Sequence, residues 1–132
     1  MSCLFNSLSC FVNENPTQLR NKICNYLQEN HELMDGMDVA TIVKYDSGKS
    51  LLEYVKHMRE TTTWGGAIEI RAFCNLYKKN VIVTNIRNNM RNINNKIEFI
   101  NENTREKINK NHNDIYNFHI SWNGGHYEAL TL

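Results

Sequence analysis

Trp64-Gly65-Gly66-Ala67-Ile68-Glu69-Ile70-Arg71-Ala72-Phe73, running on to Leu76 and Tyr77, reads as a helix that must lie on something flat. Ile68, Ala72, Phe73 and Leu76, flanked by Ile70 and Tyr77, recur at helical spacing and make an apolar face broad enough for a sheet. Asn80 then ends the helix, and Val81-Ile82-Val83 is a β-branched run too short for another. It is predicted as a buried strand. A broad-faced helix followed by a buried strand places the chain among folds that mix helices and a sheet.

Working outward, the N-terminal half is helical. Leu4, Phe5 and Leu8 form an apolar stripe opened by Cys3. Asn15 and Pro16 open a second helix in cap and first-turn positions, with Leu19, Ile23, Tyr26 and Leu27 on its face to about Glu29. Asp35 to Asp38 is a turn, and Val39 to Tyr45 is ambiguous between helix and strand. Ser50 caps a helix over Leu51, Leu52, Tyr54, Val55 and Met58, and Thr61 to Thr63 breaks it. Beyond Val83, Asn85 to Asn95 reads as an irregular loop, Lys96 to Ile100 as a strand, and Asn101 to Asn113 as an exposed polar stretch. Ile115 to Trp122 alternates, with Phe118, Ile120 and Trp122 on one side. Asn123-Gly124-Gly125 is a tight turn into a last strand from His126. The pattern is α+β in one domain over residues 1–132: helices packed on a small, mostly antiparallel sheet.

The 132 residues suffice for a hydrophobic core, and 41% hydrophobic with 22% charged residues is a globular composition. A formal net charge of +1 gives no electrostatic reason to expect nucleic acid or an anionic membrane. The basic residues Arg87, Arg91, Lys96, Arg105, Lys107 and Lys110 are interleaved with Asn and Glu, which argues against a nucleic-acid surface. No signal-peptide pattern and no apolar run of membrane-spanning length is present. Cys3, Cys10, Cys24 and Cys74 lack CxxC spacing and read as reduced thiols, so a cytoplasmic setting is expected. The abundance of Asn, Lys and Ile fits an AT-rich genome, such as that of a virus or intracellular parasite.

Among the cysteines, Cys10, Cys24 and Cys74 are read as small buried hydrophobes. Cys3 differs in opening a helix, where backbone N–H groups stabilise a thiolate. Its spacing to Cys10, Cys24 and His31 matches no zinc pattern. His31, His57 and His112 sit in polar surroundings. His126 follows a Gly-Gly turn, and Glu128 lies two residues on, on the same side of a strand. A carboxylate beside imidazole fixes its tautomer and stabilises the imidazolium. An exposed His–Glu pair on an edge strand is an equally good reading of the motif alone.

Four ordered blocks carry a resemblance. Cys3-Leu4-Phe5-Asn6-Ser7-Leu8 resembles the nucleophile block of the OTU (ovarian tumour) family of cysteine proteases. Leu19-Arg20, Ile23, Tyr26-Leu27 and Asn30 resemble its second helix. Trp64-Gly65-Gly66-Ala67-Ile68-Glu69-Ile70-Arg71-Ala72, with Val81-Ile82-Val83 after it, is similar to the family's W-G-G-x-x-E block. His126-Tyr127-Glu128 resembles its H-Y-N/D ending.

The resemblance implies a papain-like OTU fold and a thiol-dependent deubiquitinase that needs no cofactor or metal. Cys3 would be the nucleophile, His126 the base and Glu128 the residue that orients it, in place of the usual Asn or Asp. Trp64, Gly65, Gly66, Asn123, Gly124 and Gly125 would bind the substrate tail, and Glu69 and Asn123 would supply supporting hydrogen bonds. Trp64-Gly65-Gly66 reads equally well as a helix start packed by a buried tryptophan. The implied partners are ubiquitin, polyubiquitin chains or ubiquitin-like modifiers, met by a monomer with no nucleic acid and no membrane. The family pattern places an aspartate three residues before the cysteine, whereas the sequence begins two residues before Cys3. A non-catalytic ubiquitin-binding module with an impaired oxyanion loop is therefore the alternative expectation.

Overall fold

The computed structural model describes residues 3–34, 36–85, 96–99, 117–122 and 126–129. The anticipated loop over 86–95, the polar stretch 101–113 with His112, the turn residues Asn123, Gly124 and Gly125, and residues 130–132 lie outside them. So do Arg87, Arg91, Arg105, Lys107 and Lys110.

The short helix α1 (Cys3–Ser9) is followed by α2 (Pro16–Gln28). Asn15 caps α2 as anticipated: its carboxamide oxygen accepts the Gln18 N–H at 2.8 Å, and the Gln18 side chain returns to the Asn15 N–H. The strands β1 (Glu32–Met34) and β2 (Met37–Asp38) then pair as a small antiparallel hairpin. Of the turn expected over Asp35 to Asp38, Gly36 lies at the tip with φ 80°, whereas Met37 and Asp38 pair back on β1 as a strand. The ambiguous Val39 stretch is helix α3 (Val39–Ser47). Asp38 caps it by accepting the Thr41 N–H, and Gly48 at φ 75° closes it in the left-handed region. Helix α4 (Leu51–Met58) is capped by Ser50, again as read from the sequence.

Helix α5 (Ala67–Tyr77) follows the glycine pair. It ends at Lys78, two residues before the anticipated Asn80, which is buried at the start of β3 (Asn80–Asn85). The strands β4 (Lys96–Phe99), β5 (Asn117–Trp122) and β6 (Tyr127–Ala129) complete a four-stranded sheet ordered β4-β3-β5-β6. Both outer pairings are antiparallel, and the anticipated β5–β6 pairing is among them. The central β3–β5 ladder is parallel. The sheet is therefore mixed, with two antiparallel ladders of three.

Phe118 of β5 fixes how helices meet the sheet. Its ring stacks on Phe11 at 4.5 Å between centroids and lies 6.0 Å from Phe73 of α5. Phe11 follows α1, so this cluster anchors the N-terminal turn and α5 to one sheet face. Phe5, Leu8, Leu19, Ile23, Phe73, Val81 and Ile120 are completely buried around it. Cys24 and Cys74 lie in this core as expected. Cys10 does not: it is exposed, because α1 stops at Ser9 and Cys10 falls in the following turn, outside the apolar stripe.

Candidate active site

Helix α1 packs against β6 and α2, which brings the Cys3 turn onto the strand that follows His126. The Cys3 carbonyl accepts the Ser7 hydroxyl at 2.8 Å, tying the helix's first residue to its second turn. Burial pushes the Tyr127 phenol up, and its proximity to Cys3 and Glu69 adds to that. Tyr127 thus lies within electrostatic reach of both.

His126 and Glu128 meet: Nε2 of His126 lies 3.5 Å from Oε1 of Glu128, with both side chains more than half exposed. Nδ1 is the ring nitrogen not engaged by the carboxylate. Strand alternation puts Glu128 on the side opposite Tyr127, and Glu128 pairs in register with buried Ser121. Among the described residues, no hydrogen bond joins Cys3 to His126.

The glycine pair abuts the same helix. A Cβ placed on Gly65 would lie 2.8 Å from Leu4 Cδ2 and 3.1 Å from the Phe5 ring. Only glycine lets the backbone approach α1 this closely. Trp64, immediately before it, is 54% exposed rather than buried, which removes the reading of Trp64 as a packed core residue.

Beneath this loop lies a buried polar group. Glu69 is 1% exposed; its Oε1 accepts the Gly66 N–H at 2.7 Å and its Oε2 accepts the Tyr54 hydroxyl at 2.6 Å. Burial outweighs both hydrogen bonds and the neighbouring Arg20 charge, pushing the carboxyl up to about 7. Arg20 is equally buried. Its guanidinium lies over Phe5 at 4.2 Å and donates to the carbonyls of Met58 at 2.8 Å and Thr61 at 3.3 Å. The half of the capping box that joins Gly66 to Glu69 was readable from spacing. The roles of Tyr54 and Arg20 had no local signal, because their partners lie in other elements.

No cluster of three or more His, Cys, Asp or Glu capable of holding a metal occurs among the described residues. No helix among them is long and apolar enough to cross a membrane.

A cysteine-headed helix thus packs on the sheet's edge strand β6, which begins just after His126 and carries Glu128. The family model for OTU-like cysteine proteases matches residues 2–127, and the chain belongs to that family. Solved structures agree. An OTU domain in complex with ubiquitin superposes with a TM-score of 0.69 at 20% identity, covering 98% of this chain and 63% of that one. The OTUD1 OTU domain gives 0.65 at 16% identity, covering 97% and 77%. The viral OTU domain protease from Dera Ghazi Khan virus gives 0.62 at 13% identity, covering 98% and 76%. This chain therefore spans less than two thirds of the ubiquitin-bound domain's length. No curated protein matches the sequence.

Proposed function

We propose that the chain is a thiol deubiquitinase that hydrolyses the isopeptide bond after the ubiquitin C-terminal Gly-Gly, acting as a cytoplasmic monomer. The observation that carries this is the packing of α1, which opens with Cys3, on β6, the strand that begins directly after His126 and carries Glu128. The structural similarity to an OTU domain in complex with ubiquitin supports ubiquitin as the substrate class.

In this scheme His126 Nδ1 takes the Cys3 proton, and the thiolate adds to the isopeptide carbonyl. Collapse of the tetrahedral adduct breaks the C–N bond, with the imidazolium giving its proton to the departing lysine amine. Water, deprotonated by His126, then cleaves the thioester and restores the thiol. Glu128 holds Nε2 and stabilises the imidazolium. Exposed Trp64 and the backbone of Gly65 and Gly66, together with Asn123, Gly124 and Gly125, form the track for the substrate tail. The scheme uses no cofactor.

The test is hydrolysis of a ubiquitin C-terminal fluorogenic substrate by the wild type, Cys3→Ala and His126→Ala. Loss of turnover in both variants is expected, and equal rates in wild type and Cys3→Ala would sink the assignment.

The exposure of both members of the His126–Glu128 pair, 3.5 Å apart, favours one competing reading, a ubiquitin-binding module without catalysis. It requires measurable ubiquitin affinity, no turnover and no capture of Cys3 by a ubiquitin-derived electrophile.

A further inference from the structure

We propose that Glu69 is a positioning residue for Cys3, holding the Gly65–Gly66 backbone against the first turn of α1 through its bond to the Gly66 N–H. The turnover arm of the test rests on the hydrolase reading; the thiol-reactivity arm does not.

The geometry forms a short chain of contacts. Oε1 of Glu69 binds the Gly66 N–H, Gly65 meets Leu4 and Phe5, and Leu4 directly follows Cys3. Two successive glycines have the greatest backbone freedom of any dipeptide, and no side chain of their own pins them. The Glu69 carboxylate supplies that restraint from inside the protein. Groups from three other elements face it: Arg20 and Cys24 from α2, Tyr54 from α4 and Tyr127 from β6. Tyr54 fixes the second carboxylate oxygen, so the carboxylate cannot swing away from Gly66.

Burying a carboxylate is unfavourable, and an exposed side chain at the cap would satisfy one helix N–H more cheaply. A capping role alone therefore does not account for placing the acid in the core. Fixing a side-chain-free loop against the Cys3 turn does, because Glu69 reaches the Gly66 N–H from the core, the side on which Gly65 meets Leu4 and Phe5.

The experiment compares wild type, Glu69→Ala, Glu69→Gln and Tyr54→Phe in the full chain. Iodoacetamide alkylation of Cys3 is read by peptide mass mapping at neutral pH, against exposed Cys10 in the same molecule as reference. Glu69→Ala is expected to lower the Cys3:Cys10 rate ratio at least about fivefold, and kcat about tenfold or more with KM nearly unchanged. Glu69→Gln, whose carbonyl can still accept from Gly66 while its amide donates to the Tyr54 oxygen, is expected to retain most of both. A helix cap alone would lower stability but leave the ratio of the folded molecules unmoved.

An unchanged ratio in folded Glu69→Ala overturns the proposal. If that variant does not fold, Tyr54→Phe decides: a drop of about twofold or more supports positioning, and no change overturns it. A wild type that labels normally but never hydrolyses ubiquitin conjugates refutes the hydrolase reading alone and leaves the ratio to judge Glu69.

Discussion

Gly65 stands so close to Leu4 that a single added methyl group would come within 2.8 Å of the leucine side chain. Leu4 and the adjoining Phe5 are fully packed, so neither can simply withdraw. Gly65→Ala should therefore destabilise the fold by about 1–3 kcal/mol, the usual range for overpacking. Urea unfolding checks this. Combining it with Leu4→Ala should give less than the sum of the two single effects, by on the order of 1 kcal/mol, because each change relieves the other.

Glu69 sets a pH dependence of stability. Its carboxyl is pushed from the ordinary 4.5 to about 7 by burial. Between those values the folded protein keeps a proton that the unfolded chain has released. Its contribution to stability is then fully present below pH 4.5 and is lost as the pH rises through about 7. The swing is on the order of 3 kcal/mol. Glu14 and Asp38, both held below the usual carboxylate range by hydrogen bonds, act in the opposite direction but only at lower pH. Denaturant midpoints measured across this window should fall with pH in the wild type and stay flat in Glu69→Gln. A flat wild-type profile would refute the assignment.

Trp64 separates binding from folding. Because more than half of it is exposed, Trp64→Ala should change stability by no more than about 1 kcal/mol. If the tryptophan meets the substrate tail, KM for a ubiquitin-derived substrate should rise about tenfold with kcat much less affected. Steady-state kinetics and a melting curve on the same preparation settle both halves.

The four cysteines should divide cleanly by reactivity. Burial pushes the Cys24 thiol up to about 11 and the Cys74 thiol to about 12, and neither side chain reaches solvent. Cys3 is half-buried and Cys10 exposed. Native protein treated with iodoacetamide near pH 8 should acquire two adducts, and urea-unfolded protein four. A native adduct on Cys74 would show that α5 opens readily from the sheet.

Local patterns made much of this molecule readable in advance. The Asn15 cap, the Ser50 cap and the broad apolar face of α5 each depend on residues within a turn or two of one another. What escaped depended on distance. Val39 to Tyr45 was ambiguous because its helix is fixed by ends, Asp38 and Gly48, rather than by a long periodic run. The parallel β3–β5 ladder left no trace, since alternation tells which side a residue faces but not which strand lies beside it. Tyr54 and Glu69 are 15 residues apart on different helices, and neither carries a mark of the other. What linked the Cys3 and His126 blocks in the sequence was their resemblance to a known pattern, and in the fold α1 packs on β6, the strand that begins after His126.

The sheet order carries a consequence for how the protein comes into being. Among the described residues, β6 has β5 as its ladder partner, and β5 joins the rest of the sheet through its parallel ladder with β3. Parallel pairing across a long stretch of chain is slow to nucleate, because the loop must close before any ladder bond compensates for the lost entropy. Until that step is complete the β5–β6 pair is not joined to the larger sheet, and the seat of α1 on β6 is not yet anchored to β3. During synthesis and refolding, then, the packing of the Cys3 helix on the sheet is completed only when the β5–β6 pair joins β3.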